Sequence, residues 1–187
     1  MSTVGRPAGP ARATTEVVLT AALELLLSEG LGALTAQRLH QATGVSRSTI
    51  YRHWETPTRV LEALIDVAPP PPHPTSGDPV ADAHAEVDLF CDRLRDKPVA
   101  AFLQALLAAD DSALKLRQRY VDGIAAPFRR RAEEAGLDGE QVDDAVAAIV
   151  APLVLDALVA RGDADRARAH RAVDRHLHAP DGSPTAP

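Results

Sequence analysis

The sequence predicts an all-α protein built in two parts, and three observations lead to this prediction. Apolar residues recur at helical spacing along most of the 187 residues, and no stretch alternates as a β-strand would. The proline run at 69–72 cannot be helical and separates two helical regions. The length suffices for one module of about 50 residues and one core of about 100 residues.

Four short helices are predicted before the proline run. Thr14 or Thr15 can cap the first helix, and Gly30 follows its end. Thr56 can cap the fourth helix, where Pro57 suits the first helical position because its missing N–H has no partner there. The second, third and fourth helices are predicted at 36–43, 46–54 and 57–66.

The second and third helices flank a short turn that follows Gly44. This glycine can take the positive φ that ends a helix, and the hydroxyl of Ser46 can cap the next one. Ile50 and Trp54 are four residues apart and face inward, which turns the polar residues outward. The pattern predicts a helix-turn-helix, whose second helix enters a DNA major groove. The alternative is that these polar residues form the solvent-exposed face of an ordinary amphipathic helix. That alternative explains less well why the cap, the glycine and the inward-facing pair all agree.

Five longer helices are predicted after the proline run. Pro127 and Pro152 lie inside two of them and should kink or break them. The first two of these helices begin near Pro79 and Pro98. The other three cover 112–135, 138–161 and 163–177. The predicted divisions are a flexible arm (1–13), a helix-turn-helix domain (14–66) with a linking helix (57–66), a Pro-rich connector (67–79), a C-terminal effector-binding and dimerisation domain (80–178) and a disordered tail (179–187).

The formal net charge of −6 lies in the second part of the chain. Residues 1–66 contain six arginines, five glutamates and one aspartate, so the first part is neutral. Its arginines can still lie together as a modest basic face. We expect few phosphate contacts and a strong reliance on the fit at one DNA site. The arginines concerned are Arg6, Arg12, Arg38, Arg47, Arg52 and Arg59.

Composition argues against several other classes of protein. The single cysteine, Cys91, excludes an internal disulfide and fits the cytoplasm. No apolar run approaches the roughly 18 residues of a membrane-spanning helix, so no membrane partner is expected. No Gly-rich phosphate loop, metal-binding Cys/His spacing or nucleophile elbow occurs. We therefore expect neither an enzyme nor a cofactor.

Histidines in the second part allow a ligand or metal interpretation. His170, His176 and His178 could resemble a metal cluster, and His84 lies one helical turn from Asp88, where the two could orient a ligand. A solvated helix face explains both groups better, and no metal site is expected.

Several motifs of the first part occur together at fixed spacings. They are Glu29-Gly30-Leu31, Leu34-Thr35, Thr43-Gly44-Val45-Ser46 and Thr49-Ile50-Tyr51-Arg52-His53-Trp54. With these motifs, residues 15 to 65 resemble the DNA-binding domain of the TetR family of bacterial transcriptional repressors. The resemblance covers about the first third of the chain. It departs from the family at Pro57, where a lysine that commonly meets a phosphate is usual.

The resemblance implies a homodimer that binds a palindromic double-stranded DNA operator and is released by a small-molecule effector. We expect Arg47 to read a base edge, such as guanine, with short-range contacts from Ser48 and Thr49. The resemblance implies phosphate contacts from Tyr51 and His53. It implies the same for Thr35, although a plain capping role explains that residue at least as well. The expected DNA-binding residues are Thr35, Gln37, Ser46, Arg47, Ser48, Thr49, Tyr51, Arg52 and His53.

Two further sets of residues are candidates in the C-terminal domain. An effector pocket could be lined by the large apolar residues Phe90, Phe102, Leu106, Tyr120 and Phe128, each of which is also explained by an ordinary core. A dimer interface could use the stripe Val142, Val146, Ile149, Leu153 and Ala157, which fits a helix buried inside its own subunit equally well. The alternative function is a helical dimeric interaction protein with the same fold and weak or lost DNA binding.

Overall fold

The computed structural model describes residues 12–68, 72–95, 98–160 and 164–178. All regular structure in these ranges is helical, with nine α-helices, two short 3-10 turns and one π-helical turn, which confirms the all-α prediction. The chain divides into two compact units. The N-terminal unit comprises Met1–Pro69 with Gln104–Leu116, and the C-terminal unit comprises Pro70–Leu103 with Arg117–Pro187.

Four α-helices precede the proline run, as predicted. They are α1 (Arg12–Glu29), α2 (Ala36–Thr43), α3 (Arg47–His53) and α4 (Pro57–Val67). The core of this bundle includes Val18, Leu39, Ile50 and Leu61, which are fully buried. Each of the first four helices places one of these residues there, so apolar burial fixes how α2 and α3 sit against the rest of the bundle.

The start of α1 differs from the prediction. The helix is already formed at Arg12, so Thr14 and Thr15 lie inside it and neither caps it. Arginine and alanine are good helix formers, and the helix extends through them into the segment predicted as a flexible arm. The remainder of that arm, residues 1–11, lies outside the described residues, as does the predicted tail at 179–187.

The remaining helices follow the proline run. They are α5 (Pro79–Arg95), α6 (Pro98–Ala108), α7 (Leu114–Glu134), α8 (Gly139–Leu155) and α9 (Arg166–Leu177). The core of the C-terminal unit is formed mainly by apolar residues of α5, α7, α8 and α9. Within the described residues no helix is both long and apolar enough to cross a bilayer.

Neither internal proline ends its helix, and the kink at Pro127 and the bend at Pro152 stay predictions. Helix α7 runs through Pro127 without a break. A proline inside a helix costs about 3 kcal/mol, but Ile124 and Phe128 on either side of it are buried in the core, and their burial offsets that cost. Helix α8 also continues past Pro152 and then changes into a π-helical turn at Asp156–Ala160.

An ionic cluster is buried in the C-terminal unit. The Arg131 side chain on α7 is only 4% exposed, and its guanidinium lies 3.5 Å from Asp82 and 3.9 Å from Glu86, both on α5. The same guanidinium donates a hydrogen bond to the carbonyl of Pro74. Arg131 therefore joins α7, α5 and the chain segment that leads into α5.

That segment is also held from its own side. The ring Nδ1 of His73 lies 3.0 Å from Oε1 of Glu86, and the N–H of Ser76 donates to Oδ1 of Asp82 at 2.8 Å. Hydrogen bonds from Ser76, with Arg131 nearby, hold the pKa of the Asp82 carboxyl below its usual range. The residues after the proline run are thus fixed to the core by buried polar groups.

Candidate nucleic-acid interface

The starts of α2 and α3 are set by the caps that the sequence predicted. Oγ1 of Thr35 accepts the N–H of Arg38 at 3.3 Å, and Oγ of Ser46 accepts the N–H of Thr49 at 3.2 Å. Gly44 has a φ of 71°, the left-handed conformation that favours glycine. Thr35 therefore has the capping role that the sequence left open, and its predicted phosphate contact stays a prediction.

The turn between α2 and α3 is also locked by two side chains. Nδ1 of His40 donates to the carbonyl of Val45 at 2.9 Å, which reaches across the turn from the last part of α2. Oγ1 of Thr43 accepts the N–H of Val45 at 3.2 Å and donates to the carbonyl of Leu39 at 2.6 Å. These bonds fix the direction in which the chain enters α3.

Sequence reasoning missed this lock. A threonine just before a helix-ending glycine carries a local signal, because hydroxyl side chains often bond to nearby backbone groups. The hydrogen bond of His40 has no local signal in the sequence, because it forms only once the turn has brought the carbonyl of Val45 back toward α2.

Helix α3 has an apolar inner face and a polar outer face. Ile50 is fully buried and Trp54 is half-buried, with the ring centroid of His53 5.8 Å from that of Trp54. The outer face exposes Arg47 and Arg52 together with the serine and tyrosine between them, and Tyr51 is 61% exposed. The outer face is thus open to a large ligand.

The arginines of α3 differ from two other arginines of this unit in having no carboxylate partner among the residues that the structure describes. Arg38 pairs with Glu29, and the guanidinium of Arg59 lies 2.7 Å from a carboxylate oxygen of Glu62. Within the described part of the chain, no carboxylate pairs with Arg47 or Arg52. Of the other arginines predicted for the basic face, Arg38 and Arg59 are paired, Arg12 is exposed at the start of α1, and Arg6 lies outside the described residues.

Three hydroxyls form a cluster at the start of α3. Oγ of Ser46 lies 3.0 Å from Oγ of Ser48 and 2.8 Å from Oγ1 of Thr49. The hydroxyls of Ser48 and Thr49 would have to exchange these bonds to contact a base. Gln37 is exposed in the first turn of α2.

The five residues predicted for an effector pocket form two packed pairs and a separate residue. The rings of Phe90 and Phe128 meet edge to face with centroids 6.0 Å apart, and those of Phe102 and Tyr120 are also 6.0 Å apart. Burial raises the pKa of Tyr120 to about 12. Leu106 belongs to the N-terminal unit. Such ring contacts also fit an ordinary core, the other explanation considered for these residues, and the pocket assignment stays a prediction.

The stripe predicted for the dimer interface faces the core of its own unit. Val142, Val146, Ile149 and Leu153 are buried there, and Ala157 packs against the same core. Burial inside one subunit was the other explanation considered for this stripe, and its role at a dimer interface stays a prediction. An apolar stripe at helical spacing shows that a face is buried, but it does not show against what.

Helix α8 and the π-helical turn expose a different apolar stripe. Its members are spaced four residues apart, and the two largest are Leu155, which is 59% exposed, and Val159, which is 71% exposed. The full stripe is Ala147, Ala151, Leu155 and Val159. Alanine is only weakly apolar, so this stripe is a weak signal in the sequence.

The locked turn, the capped α3 and its polar outer face define a helix-turn-helix protein of the DNA-binding class. Residues 18–64 match the model of a family described as bacterial regulatory proteins, tetR family. A comparison with curated protein sequences gave no match.

Solved structures share the fold over most of the chain. A TetR transcriptional regulator from Agrobacterium tumefaciens is 21% identical, with a TM-score of 0.67 over 88% of this chain and 92% of that one. The TetR family transcription regulator SCO0332 is 28% identical, with a TM-score of 0.63 over 87% and 95%. A mutant HlyIIR protein is 12% identical, with a TM-score of 0.64 over 91% and 100%. Residues 18–64 therefore match the family's model, and the chain shares the fold of these TetR transcription regulators. The resemblance seen in the sequence is confirmed.

Proposed function

We propose that the protein is a repressor that binds a palindromic operator as a homodimer and is released by a small-molecule effector. The observation that carries the proposal is the pair of exposed arginines on α3, Arg47 and Arg52, which have no carboxylate partner in the described chain. Arginine held in this way on a recognition helix is suited to guanine edges and phosphates. Because its ligand is chromosomal DNA, the protein would act in the cytoplasm.

Arg47 lies in the first turn of α3, where recognition helices contact base edges. We assign it the main base contact, with Ser48 and Thr49 contributing short-range contacts after exchanging their bonds to Ser46. Arg52 adds a cation on the same exposed face.

Phosphate contacts are assigned to side chains at the edges of the same surface. Tyr51 is exposed on α3, and His53 is half-buried against Trp54, which holds its ring in place. Thr35 and Gln37 lie at the start of α2, and Gln37 is free to reach a base. Phosphate contacts position the protein on the duplex, and base contacts give the specificity.

A second copy of the chain is the proposed partner of the exposed stripe on α8. One recognition helix of seven residues reads few bases, and a two-fold dimer doubles the site. Ala147 and Ala151 let two helices approach closely, while Leu155 and Val159 supply apolar area that water otherwise covers.

An effector is proposed for the C-terminal unit. Its large aromatic residues are already packed in pairs, so a ligand there would have to displace core contacts. The same unit has an open cleft of about 400 Å³ beside the turn between α7 and α8, with Gln141, Arg175 and His176 in its wall. The wall also contains His178 and the carboxylate of Asp144, and Arg175 is the group in it that suits an acidic molecule.

The proposal is tested by selection from a random duplex library with the purified protein. The expected result is enrichment of a palindrome whose half-sites lie one or more helical turns apart, roughly 34 Å per turn. Absence of any enrichment would favour the helical interaction protein with lost DNA binding.

The dimer is tested separately by sedimentation. Leu155→Glu should convert the dimer to a monomer, because a carboxylate would be buried at the contact. Val121→Glu, at an exposed apolar position of α7, is the matched control and should leave the dimer intact. A wild-type protein that sediments as a monomer, or a dimer unaffected by Leu155→Glu, would refute this interface.

A further inference from the structure

Two histidines from different helices of the C-terminal unit meet ring to ring. Nδ1 of His84 on α5 and Nδ1 of His170 on α9 are 2.7 Å apart. The ring centroids lie 4.9 Å apart, and the rings are inclined by 32°. The distance between the centroids is close to the value expected if both centroids and both Nδ1 atoms lay on one line. Each Nδ1 atom therefore points at the other.

The second nitrogen of each ring faces a carboxylate on the opposite helix. Nε2 of His84 lies 3.0 Å from Oδ1 of Asp174 on α9, and Nε2 of His170 lies 3.0 Å from Oδ1 of Asp88 on α5. An ionised carboxylate can only accept hydrogen bonds, so both Nε2 atoms must carry hydrogen and donate.

The number of protons on the pair follows from these contacts. Two neutral rings with hydrogen on both Nε2 atoms would oppose two lone pairs across 2.7 Å. Two imidazolium rings would oppose two N–H groups across the same distance. One additional proton satisfies all contacts, because Nδ1–H of one ring then donates to Nδ1 of the other. We propose that His84 and His170 form a proton-binding site that holds one excess proton and joins α5 to α9.

The charges beside the pair favour the excess proton. The guanidinium of Arg166 lies 3.0 Å from Asp88 and 2.6 Å from Asp92. Arg166 holds the pKa of the Asp92 carboxyl below its usual range, and that carboxylate raises the pKa of Arg166. Asp88 and Asp174 each contact one ring, and among the described residues Arg166 is the only arginine or lysine paired with either of them.

Few other titratable groups lie close to the pair. Arg95 also pairs with Asp92, and Nδ1 of His178 is 4.0 Å from Asp174. Burial raises the pKa of the Cys91 thiol, so this group stays neutral. Helix α8 packs against both α5 and α9, and none of its described charged side chains pairs with His84 or His170.

A metal ion does not fit this geometry. Bonds from imidazole to zinc are about 2.0–2.1 Å long, so a tetrahedral zinc ion bound to both nitrogens would hold them about 3.3 Å apart. The observed distance is 2.7 Å. Among the described residues, no three His, Cys, Asp or Glu side chains converge on a point where a metal ion could bind.

The pair makes the contact between α5 and α9 depend on pH. Its contribution to stability should be greatest where the folded pair and the two unfolded rings bind the same number of protons. At higher pH the folded state still binds a proton that the unfolded chain has released, so stability falls as pH rises. At lower pH the unfolded chain binds four protons on the two rings and the folded pair three, so stability falls as pH falls.

The proposed function gives this site a regulatory consequence. Helix α9 packs along α8, which carries the exposed stripe assigned to the second copy. If that assignment holds, dimer formation should weaken on both sides of the same pH optimum. This consequence depends on the proposed function, whereas the protonation of the two rings does not.

The first test is side-chain nitrogen NMR of the full-length protein labelled at histidine. The expected spectrum near pH 6.5 shows hydrogen on both Nε2 atoms of His84 and His170 and one strongly downfield proton shared by their Nδ1 atoms. Two rings that titrate independently, without a shared proton, would overturn the proposal. Stoichiometric zinc bound to the two rings after titration would also overturn it.

The second test is a double-mutant cycle with His84→Gln and His170→Gln, measured by urea unfolding from about pH 5 to about pH 9. The two substitutions should show a coupling of about tenfold in the folding equilibrium constant near pH 6.5, with less at either end. His176→Gln, on the same helix outside the pair, should show no such coupling with His84→Gln. A coupling that does not change with pH would refute the shared proton.

Discussion

Arginine side chains have opposite surroundings in the two units of this protein. In the N-terminal unit, Arg47 and Arg52 stand exposed on α3 with no carboxylate partner among the described residues. In the C-terminal unit, Arg131 is 4% exposed and lies among Asp82, Glu86 and a backbone carbonyl. The first arrangement leaves charge available for a ligand, and the second uses charge to hold the chain together.

The difference shows why the net charge of −6 is a poor guide to function. Paired charges contribute little to the field that an approaching duplex meets, whereas two unpaired arginines on one short helix act directly on it. Two further arginines of the N-terminal unit are paired, Arg38 with Glu29 and Arg59 with Glu62.

The largest expected effect is on stability, at the buried Arg131. Arg131→Ala should lower the free energy of unfolding by about 3–5 kcal/mol, because it leaves two carboxylates buried without their cation. Urea unfolding followed by circular dichroism measures this change. Arg130→Ala, next in sequence and exposed, is the matched control and should change stability by less than about 0.5 kcal/mol. Equal small effects of both substitutions would show that the cluster does not hold the unit together.

A smaller effect is expected in the turn that precedes α3. His40→Ala removes the bond to the carbonyl of Val45 and should cost about 1 kcal/mol of stability. It should also weaken operator binding, since the direction of α3 is less fixed. Gln41→Ala, at the exposed neighbouring position, is the control for both measurements. If His40→Ala binds DNA as the wild type does, the lock has no role in positioning α3.

The smallest effect is expected on the loss of stability at acid pH, through Asp82. The pKa of Asp82 is lowered in the folded state, so its contribution is present above the unfolded value of about 4 and is lost as pH falls through the folded value. Unfolding curves between neutral and acid pH should therefore fall less steeply for Asp82→Asn than for the wild type. Parallel curves would mean that Ser76 and Arg131 do not stabilise the ionised carboxyl.

The parts of the structure that could be predicted depend on neighbouring residues. The caps Thr35, Ser46 and Thr56 and the left-handed Gly44 act within one helical turn, so the sequence alone locates them. The polar outer face of α3 follows from the position of Ile50 four residues before the aromatic that ends the helix.

The parts that could not be predicted join residues far apart in the chain. Arg131 meets a carbonyl 57 residues away, and His84 meets a histidine 86 residues away. Nothing in the spacing of such residues indicates the contact, because it depends on how α5 packs against α7 and α9. The partner of an apolar stripe is unpredictable for the same reason, as the buried Leu153 and the exposed Leu155 on one helix show.

We infer that Arg47 is held on α3 without a carboxylate partner so that it can contact a base. The most direct measurement is the affinity of wild-type, Arg47→Ala and Arg59→Ala proteins for the selected duplex and its single-base variants, at one salt concentration. We predict that Arg47→Ala loses about 1–3 kcal/mol per half-site and the preference at one base pair, while Arg59→Ala keeps both. An unchanged affinity and base preference in Arg47→Ala would contradict the account.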